Sequence, residues 1–170
     1  MSEHTYTFNL GACQCTVLTD GVKKPDIESM PDRFPSVSRE TLVSALKERH
    51  PGSETIDWSM NCLFLRTPEH NVLIDTGLGP KNGRLIPRLQ DITTRSAVDA
   101  VIITHCHPDH IGGLVREEGE LTFPNADYFM WDEEWDHWMG TDGVVHRAEE
   151  EYASLLRRAL LPIKEHLTLI

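Results

Sequence analysis

The segment "THCHPDHIGG", residues 104–113, carries four side chains able to bind metal within six positions. They are His105, His107, Asp109 and His110. Imidazole suits zinc and other late transition metals, and a carboxylate adds negative charge and a harder oxygen ligand. Residues two apart on an extended segment point the same way, so His105 and His107 can reach one ion together. Asp109 and His110 follow a bend and can serve a neighbouring ion. The pattern therefore predicts a metal site and not merely a histidine-rich surface turn.

The sequence also predicts the buried strands that position this segment. The run "AVDAVIITH" is continuously apolar from Val101 to Ile103, which is typical of a strand covered on both faces, and it leads directly to His105. An earlier stretch, "MNCLFLRTPEHNVLIDTG", predicts a hairpin whose strands cover Cys62–Leu65 and Val72–Ile74. Residues at the ends of buried strands are mounted on a rigid frame, which a metal site needs.

The remaining elements surround these strands. Alternating apolar residues around Gly11 predict an N-terminal hairpin, and the proline-rich stretch 23–36 predicts an extended loop. Ser38 is a good cap for a helix that Pro51-Gly52 stops. Ala126–Met130 indicates another strand. The segments "HRAEEEYASLLRRALLPI" and "KEHLTLI" predict an amphipathic helix followed by a short strand.

The composition indicates which partners and which cellular compartment to expect. The formal charge of −11 disfavours nucleic acid and anionic membranes, because such a surface repels phosphate. No apolar run approaches the ~20 residues of a membrane span, and the start shows no secretory signal. The four cysteines form no CxxC pair or regular framework, so reduced thiols are expected. We therefore expect a cytoplasmic protein.

Two local features have competing interpretations. Cys106 lies between two predicted ligands but points away from them if the segment is extended, so we expect it to pack in the core. Trp131, Trp135 and Trp138 recur at helical spacing. They can line an apolar substrate pocket, but a helical aromatic stripe is more often core, and we favour the core interpretation.

The stretch "HCHPDHIGG", His105–Gly113, strongly resembles the signature of the metallo-β-lactamase superfamily, His-x-His-x-Asp-His followed by a glycine turn. The strand and turn "NVLIDTG", Asn71–Gly77, and the strand "NCLFL" before it are also similar. "FPNADYFMWDEEW", Phe123–Trp135, resembles the lactonase and phosphotriesterase-like branches. The resemblance implies an α/β (α+β) fold, the αββα sandwich of two similar halves. On this resemblance we expect the chain to cover roughly the first half of the sandwich, as a single domain over residues 1–170 that is truncated on its C-terminal side.

The resemblance also implies roles for the site residues. His105 and His107 would bind the first metal, and Asp109 and His110 the second. Asp75 would orient a ligand histidine, and Asp109 would also act catalytically by handling protons during hydrolysis. The cofactor would be Zn²⁺, two ions per complete site, with iron or manganese as alternatives.

The chain departs from the family in the later ligands. Family members add a third histidine, a bridging aspartate and a last histidine from later segments, and no such segment follows His110. His137, His146 and His166 remain, and we interpret them as surface histidines. The chain thus offers four ligands, fewer than a dinuclear site requires.

Three functional hypotheses follow. The first is a dinuclear zinc hydrolase of an ester-like bond in a small molecule, with a lactone favoured over a glyoxalase-II-like thioester, an organophosphate or a β-lactam. The second is a catalytically incomplete fragment or metal-binding half-domain that assembles with a partner or as a homodimer. The third is oxygen or redox chemistry at iron, which histidine and carboxylate also bind.

Overall fold

The structure, a computed structural model, describes residues 5–117 and 119–170. It divides into two compact units. The larger comprises the described parts of Met1–Gly21 and Asn61–Ile170, and the smaller comprises Val22–Met60. All the predicted site residues belong to the larger unit.

Seven strands of the described chain form one mixed sheet, in the order β1-β2-β3-β4-β5-β6-β7. Their bounds are β1 Thr5–Leu10, β2 Cys13–Lys23, β3 Trp58–Arg66, β4 Asn71–Ile74, β5 Ala100–Ile103, β6 Asp127–Met130 and β7 Leu167–Leu169. The pairs β1–β2 and β3–β4 are antiparallel, whereas β4 to β7 pair in parallel. The mixed α/β class and the predicted hairpins are confirmed.

Helices connect the parallel strands, as parallel pairing requires. The α-helices of the described residues are α1 Arg39–Arg49, α2 Leu85–Gln90, α3 Pro108–Ile111, α4 Asp132–Met139 and α5 Glu150–Leu160. α2 lies between β4 and β5, α3 between β5 and β6, and α4 and α5 between β6 and β7. Among the described residues, no helix combines the length and apolarity that crossing a membrane demands.

The core of the larger unit lies between the parallel strands and the helices. Leu73 of β4 and Val101 of β5 are fully buried, as are Leu156 and Leu160 of α5. The last two are four residues apart and therefore lie on one helix face. The predicted amphipathic helix is confirmed, because its apolar side packs into the cluster that contains these strands.

The aromatic residues near α4 do not share one environment. Trp138 is buried and Trp135 packs against the core, as expected. Trp131 is 60% exposed, so the core interpretation is wrong for this residue. It precedes the first turn of α4 with an extended backbone, and its side chain is therefore not on the inward face of the helix.

The smaller unit contains α1, which begins as predicted. The hydroxyl of Ser38 accepts a hydrogen bond from the backbone N–H of Thr41 at 3.2 Å. The proline-rich stretch, however, holds a 3₁₀ helix at Ile27–Arg33 where an extended loop was expected. Ile27 and Met30 are both buried. Residues three apart align on one side of a 3₁₀ helix, which explains the preference for this conformation.

Candidate metal centre

The site lies where β4 and β5 end. These strands run in parallel with Ile74 opposite Ile102, so the residues that follow them emerge at the same edge of the sheet. Asp75 donates its backbone N–H to the carbonyl of Ile102 at 2.9 Å. Its φ is 62°, the left-handed region that Asp tolerates better than most residues do. This backbone turn aims the Asp75 carboxylate back toward the end of β5.

The helix α3 is tied to the turn after β4. Thr76 donates both its backbone N–H and its hydroxyl to the carbonyl of His110, each at 2.8 Å. Gly113 packs so closely on Thr76 that a Cβ at position 113 would overlap the carbonyl oxygen of Thr76. The glycine after the histidine motif is therefore needed for close approach of two backbones.

The first pair of donors is His105 and His107. Nε2 of His105 and Nδ1 of His107 are 3.1 Å apart. Two nitrogen ligands each ~2.05 Å from a tetrahedral ion would be about 3.3 Å apart. In the absence of metal one ring can donate a hydrogen bond to the other, and the same separation suits two ligands of one ion.

The second pair is Asp109 and His110. Oδ2 of Asp109 is 3.6 Å from Nε2 of His110. Nδ1 of His110 lies 2.7 Å from Oδ2 of Asp75. A carboxylate can only accept a hydrogen bond, so the proton of a neutral His110 is held on Nδ1 and the Nε2 lone pair faces Asp109. The rings of His105 and His110 have centroids 3.8 Å apart, which makes the two pairs neighbours.

One buried carboxylate organises both pairs. Asp75 is 5% exposed, and its Oδ1 accepts hydrogen bonds from the backbone N–H of Thr104 at 2.9 Å and the hydroxyl of Thr104 at 3.0 Å. The same hydroxyl lies 3.0 Å from Nδ1 of His105. Asp75 thus contacts His110 directly and reaches His105 through Thr104.

The histidine pKa values diverge in the metal-free chain. Burial acts to lower the pKa of His110, but the hydrogen bond and charge of Asp75, with the charge of Asp109, outweigh it, so this pKa is raised. The pKa of His105 is lowered by burial and by its histidine neighbours. Neutral imidazole is the metal-binding form, so protons compete with metal more strongly at His110.

Two residues that support the site were not found from the sequence. The first is Glu134 of α4, whose Oε1 accepts a hydrogen bond from the backbone N–H of Cys106 at 2.7 Å and another from Nε1 of Trp138. A clue was available, because Glu134 and Trp138 are four apart on a predicted helix. Nothing in the sequence, however, indicates that this helix meets Cys106.

The second is Asp20, a carboxylate that is 1% exposed. It accepts hydrogen bonds from the backbone N–H groups of Leu78, Arg84 and Leu85, at 2.7, 2.8 and 2.7 Å. These bonds fix the loop that follows the Asp75 turn. Buried carboxylates are retained where several N–H groups satisfy them, and Asp20 is such a case.

A cavity of about 330 Å³ lies beside this loop. Thr76 and Gly113 contribute to its wall, together with the arginines Arg84, Arg95 and Arg116. None of the four predicted ligands lines it. The cavity is therefore separate from the two donor pairs.

Cys106 is fully buried, with its sulfur 3.8 Å from that of Met130. Burial, followed by the charge of Glu134, raises the pKa of the Cys106 thiol well above its ordinary value. The side chain is therefore a neutral packing group, as expected. His137, His146 and His166 are all exposed, in agreement with their interpretation as surface histidines.

Within residues 5–117 and 119–170, no three His, Cys, Asp or Glu side chains form a group that could hold a metal ion. This agrees with the geometry, because each pair brings two donors together, whereas a catalytic zinc typically has three protein ligands. The assignment of the four residues as metal ligands stays a prediction.

The sequence model of the metallo-β-lactamase superfamily matches residues 55–124, which include the strands β3 to β5 and the histidine motif. Residues 55–124 thus carry a segment of the metallo-β-lactamase superfamily, and the fold of the chain is similar to that of solved members. The structure of AidC, described as a dizinc quorum-quenching lactonase, is similar over 98% of the chain, with a TM-score of 0.84 and 27% identity. The chain spans 61% of AidC.

The proteins that are similar to the chain in sequence have diverse names. An RNase J-like protein of Methanocaldococcus jannaschii is 40% identical over 87 residues, which are 48% of this chain and 19% of that protein. A flavo-diiron protein, FprA2 of Clostridium acetobutylicum, is 38% identical over 53 residues, 31% of this chain and 13% of that protein. The chain thus matches only a minor part of these relatives.

Proposed function

We propose that the chain carries the first two ligand pairs of a metal-dependent hydrolase that cleaves an ester-like bond, with a lactone as the favoured substrate. The observation that carries this proposal is the 3.1 Å separation of Nε2 of His105 and Nδ1 of His107, beside the pair formed by Asp109 and His110. Both pairs sit at spacings suited to shared ions. The proposal assigns His105 and His107 to one zinc ion and Asp109 and His110 to another.

Zinc held by these residues would supply a water of lowered pKa and a positive charge that polarises the bond under attack. The protein residues have separate tasks. Asp75 keeps the His110 proton on Nδ1, so Nε2 is available as a ligand. Asp109 has a side chain that is 33% exposed, and its Oδ2 faces His110. The partly exposed carboxylate of Asp109 would also accept a proton from the attacking water and return it to the leaving oxygen.

Three features support a small uncharged substrate. The similarity to AidC, a lactonase, extends over nearly the whole chain. The charge of −11 disfavours the polyanion that the name of the RNase J-like relative suggests. The exposed ring of Trp131 stands at the end of β6, next to the end of β5 that leads to the site, and offers an apolar surface there.

A metal-binding half-domain is the second candidate. It is favoured by the observation that each pair supplies two donors, one fewer than a catalytic zinc usually has. The missing ligands would then come from a further segment, a partner or a second copy of the chain. Iron would replace zinc if the chain follows its flavo-diiron relative.

The test combines metal analysis with an activity assay. Protein prepared without chelator is expected to contain zinc and to open an acyl homoserine lactone, with activity lost in chelator and restored by Zn²⁺. The double variant His105→Ala, His107→Ala should lose metal and activity, whereas the control His137→Ala should keep both. Full activity in the double variant would refute the hydrolase. Bound metal without activity supports the half-domain, and a mass in solution equal to one chain would count against its assembly with a second copy.

A further inference from the structure

The helix α4 also contacts the segment that carries the histidines. β6 pairs in parallel with β5, with Met130 opposite Ile103, so the segments that follow the two strands leave the sheet at the same edge. His105 follows β5, and α4 follows β6. The first turn of α4 therefore faces the segment that carries the histidines.

Glu134 makes the contact between them. Its Oε1 accepts two hydrogen bonds, from the backbone N–H of Cys106 and from Nε1 of Trp138. The Cys106 N–H belongs to the peptide that joins it to His105. Fixing this N–H fixes the plane of that peptide, and with it the direction in which His105 leaves the backbone.

Trp138 links Glu134 to His107, because the indole that donates to Glu134 also contacts the His107 ring. The two rings meet edge to face with centroids 5.8 Å apart. On its other side Trp138 contacts the ring of Tyr152 at 5.7 Å in the same kind of arrangement. Because the indole is held by Glu134 at Nε1 and by Tyr152 at its ring, it offers His107 a wall in a fixed position.

We propose that Glu134 is a positioning residue for the His105–His107 pair, acting through the Cys106 amide and the Trp138 indole. This inference rests on the proposed metal-binding function. Asp75 orients His110 and, through Thr104, the far side of His105. Glu134 fixes the peptide between His105 and Cys106, so two carboxylates act on the centre through different contacts.

The test uses binding of Co²⁺, whose visible absorption reports coordination geometry, to the whole chain prepared free of metal. Loss of a group that supports a metal ligand typically lowers metal affinity about 10–100-fold. We expect Glu134→Ala to show this loss and a changed absorption band. Glu134→Gln, which keeps an acceptor oxygen, should recover most of the affinity. Trp138→Phe, which removes the indole N–H donor and part of the ring surface but keeps an aromatic ring, should lie between them.

The matched control is Glu133→Ala, which removes the same charge from the same turn of α4 at an exposed position. It should bind Co²⁺ as the unmodified chain does. Thermal unfolding with and without Co²⁺ separates positioning from general stability. A structural role alone would lower both midpoints equally and leave the dissociation constant unchanged, and this result would overturn the proposal. Positioning predicts a smaller increase in midpoint on adding Co²⁺.

NMR of the metal-free chain distinguishes a failure of the metal-binding function from a failure of the positioning role of Glu134. In the metal-free chain, the amide resonance of Cys106 and the indole resonance of Trp138 should lie downfield and both move upfield in Glu134→Gln. Failure of the unmodified chain to bind Co²⁺, with these shifts observed, refutes the metal function and leaves the Glu134 contacts intact. Normal Co²⁺ binding by both Glu134 variants refutes the positioning role alone.

Discussion

Replacing Asp75 tests how the site selects the proton position on His110. In Asp75→Asn the shape of the side chain is kept, and asparagine also tolerates the left-handed backbone at φ 62°. The amide oxygen can still accept from the Thr104 N–H. The amide NH₂, however, would then face Nδ1 of His110 and donate to it. The His110 proton would move to Nε2, the nitrogen proposed to bind metal.

The magnitudes differ between two variants. Asp75→Ala removes the acceptor for three groups, the Thr104 N–H, the Thr104 hydroxyl and His110 Nδ1. We count ~1.5 kcal/mol for each hydrogen bond to a charged group, the low end of the range because the His110 side chain is 23% exposed, and ~1 kcal/mol for backbone strain. The free energy of unfolding should then fall by about 5.5 kcal/mol. Asp75→Asn should cost only about 1 kcal/mol, because its hydrogen bonds are retained in altered form. Its metal affinity should nevertheless fall about 10–100-fold.

Urea unfolding of the metal-free chain gives the stabilities, and competition with a chromogenic chelator gives the metal affinity. Asp75→Asn is expected to be nearly as stable as the unmodified chain but much weaker in binding metal. An Asn variant that binds metal with unchanged affinity would refute the tautomer argument. Equal destabilisation by the Asn and Ala variants would refute the argument that asparagine retains hydrogen bonds that alanine loses.

Three further outcomes are expected. Gly113→Ala should lower the free energy of unfolding by about 3 kcal/mol in urea, because the added Cβ overlaps a carbonyl oxygen and forces two backbones apart. In metal-free protein, NMR titration should find the His110 ring more than half protonated at pH 6.5 and the His105 ring less than half, since their pKa values are raised and lowered. The stability due to His110 is then complete below pH ~6.5 and is lost as the pH rises through its raised pKa. Ser38→Ala should cost about 1 kcal/mol in the same urea assay through loss of the helix cap, with no change in metal binding.

Local patterns in the chain were sufficient to predict most elements. The apolar run before His105 predicted β5, and the polar turn before Val72 predicted the β3–β4 hairpin, because burial on both faces and tight turns leave clear residue signatures. Ser38 predicted the start of α1 for the same reason, since a cap acts on its own helix. The four candidate ligands could be proposed from the sequence because a bend and a spacing of two bring neighbours in sequence to one place.

Contacts between distant segments could not be obtained in this way. Asp20 meets N–H groups more than 50 positions later in the chain, and Glu134 meets Cys106 from the next strand-helix unit. Neither contact leaves a periodic signal. Trp131 shows the reverse error, because its spacing matched the helix while its backbone lies just outside it.

The sequence by itself determined which side chains can bind metal and which strands deliver them, because those properties depend on residue type and on near neighbours. The tertiary structure alone decided how these side chains are oriented. Parallel pairing of β4, β5 and β6 brings the ends of three strands to one edge, and only there do Asp75 and Glu134 reach His110 and the peptide of Cys106. The register and pairing of these strands arise from packing of the whole sheet, and they cannot be predicted from the short sequence motif.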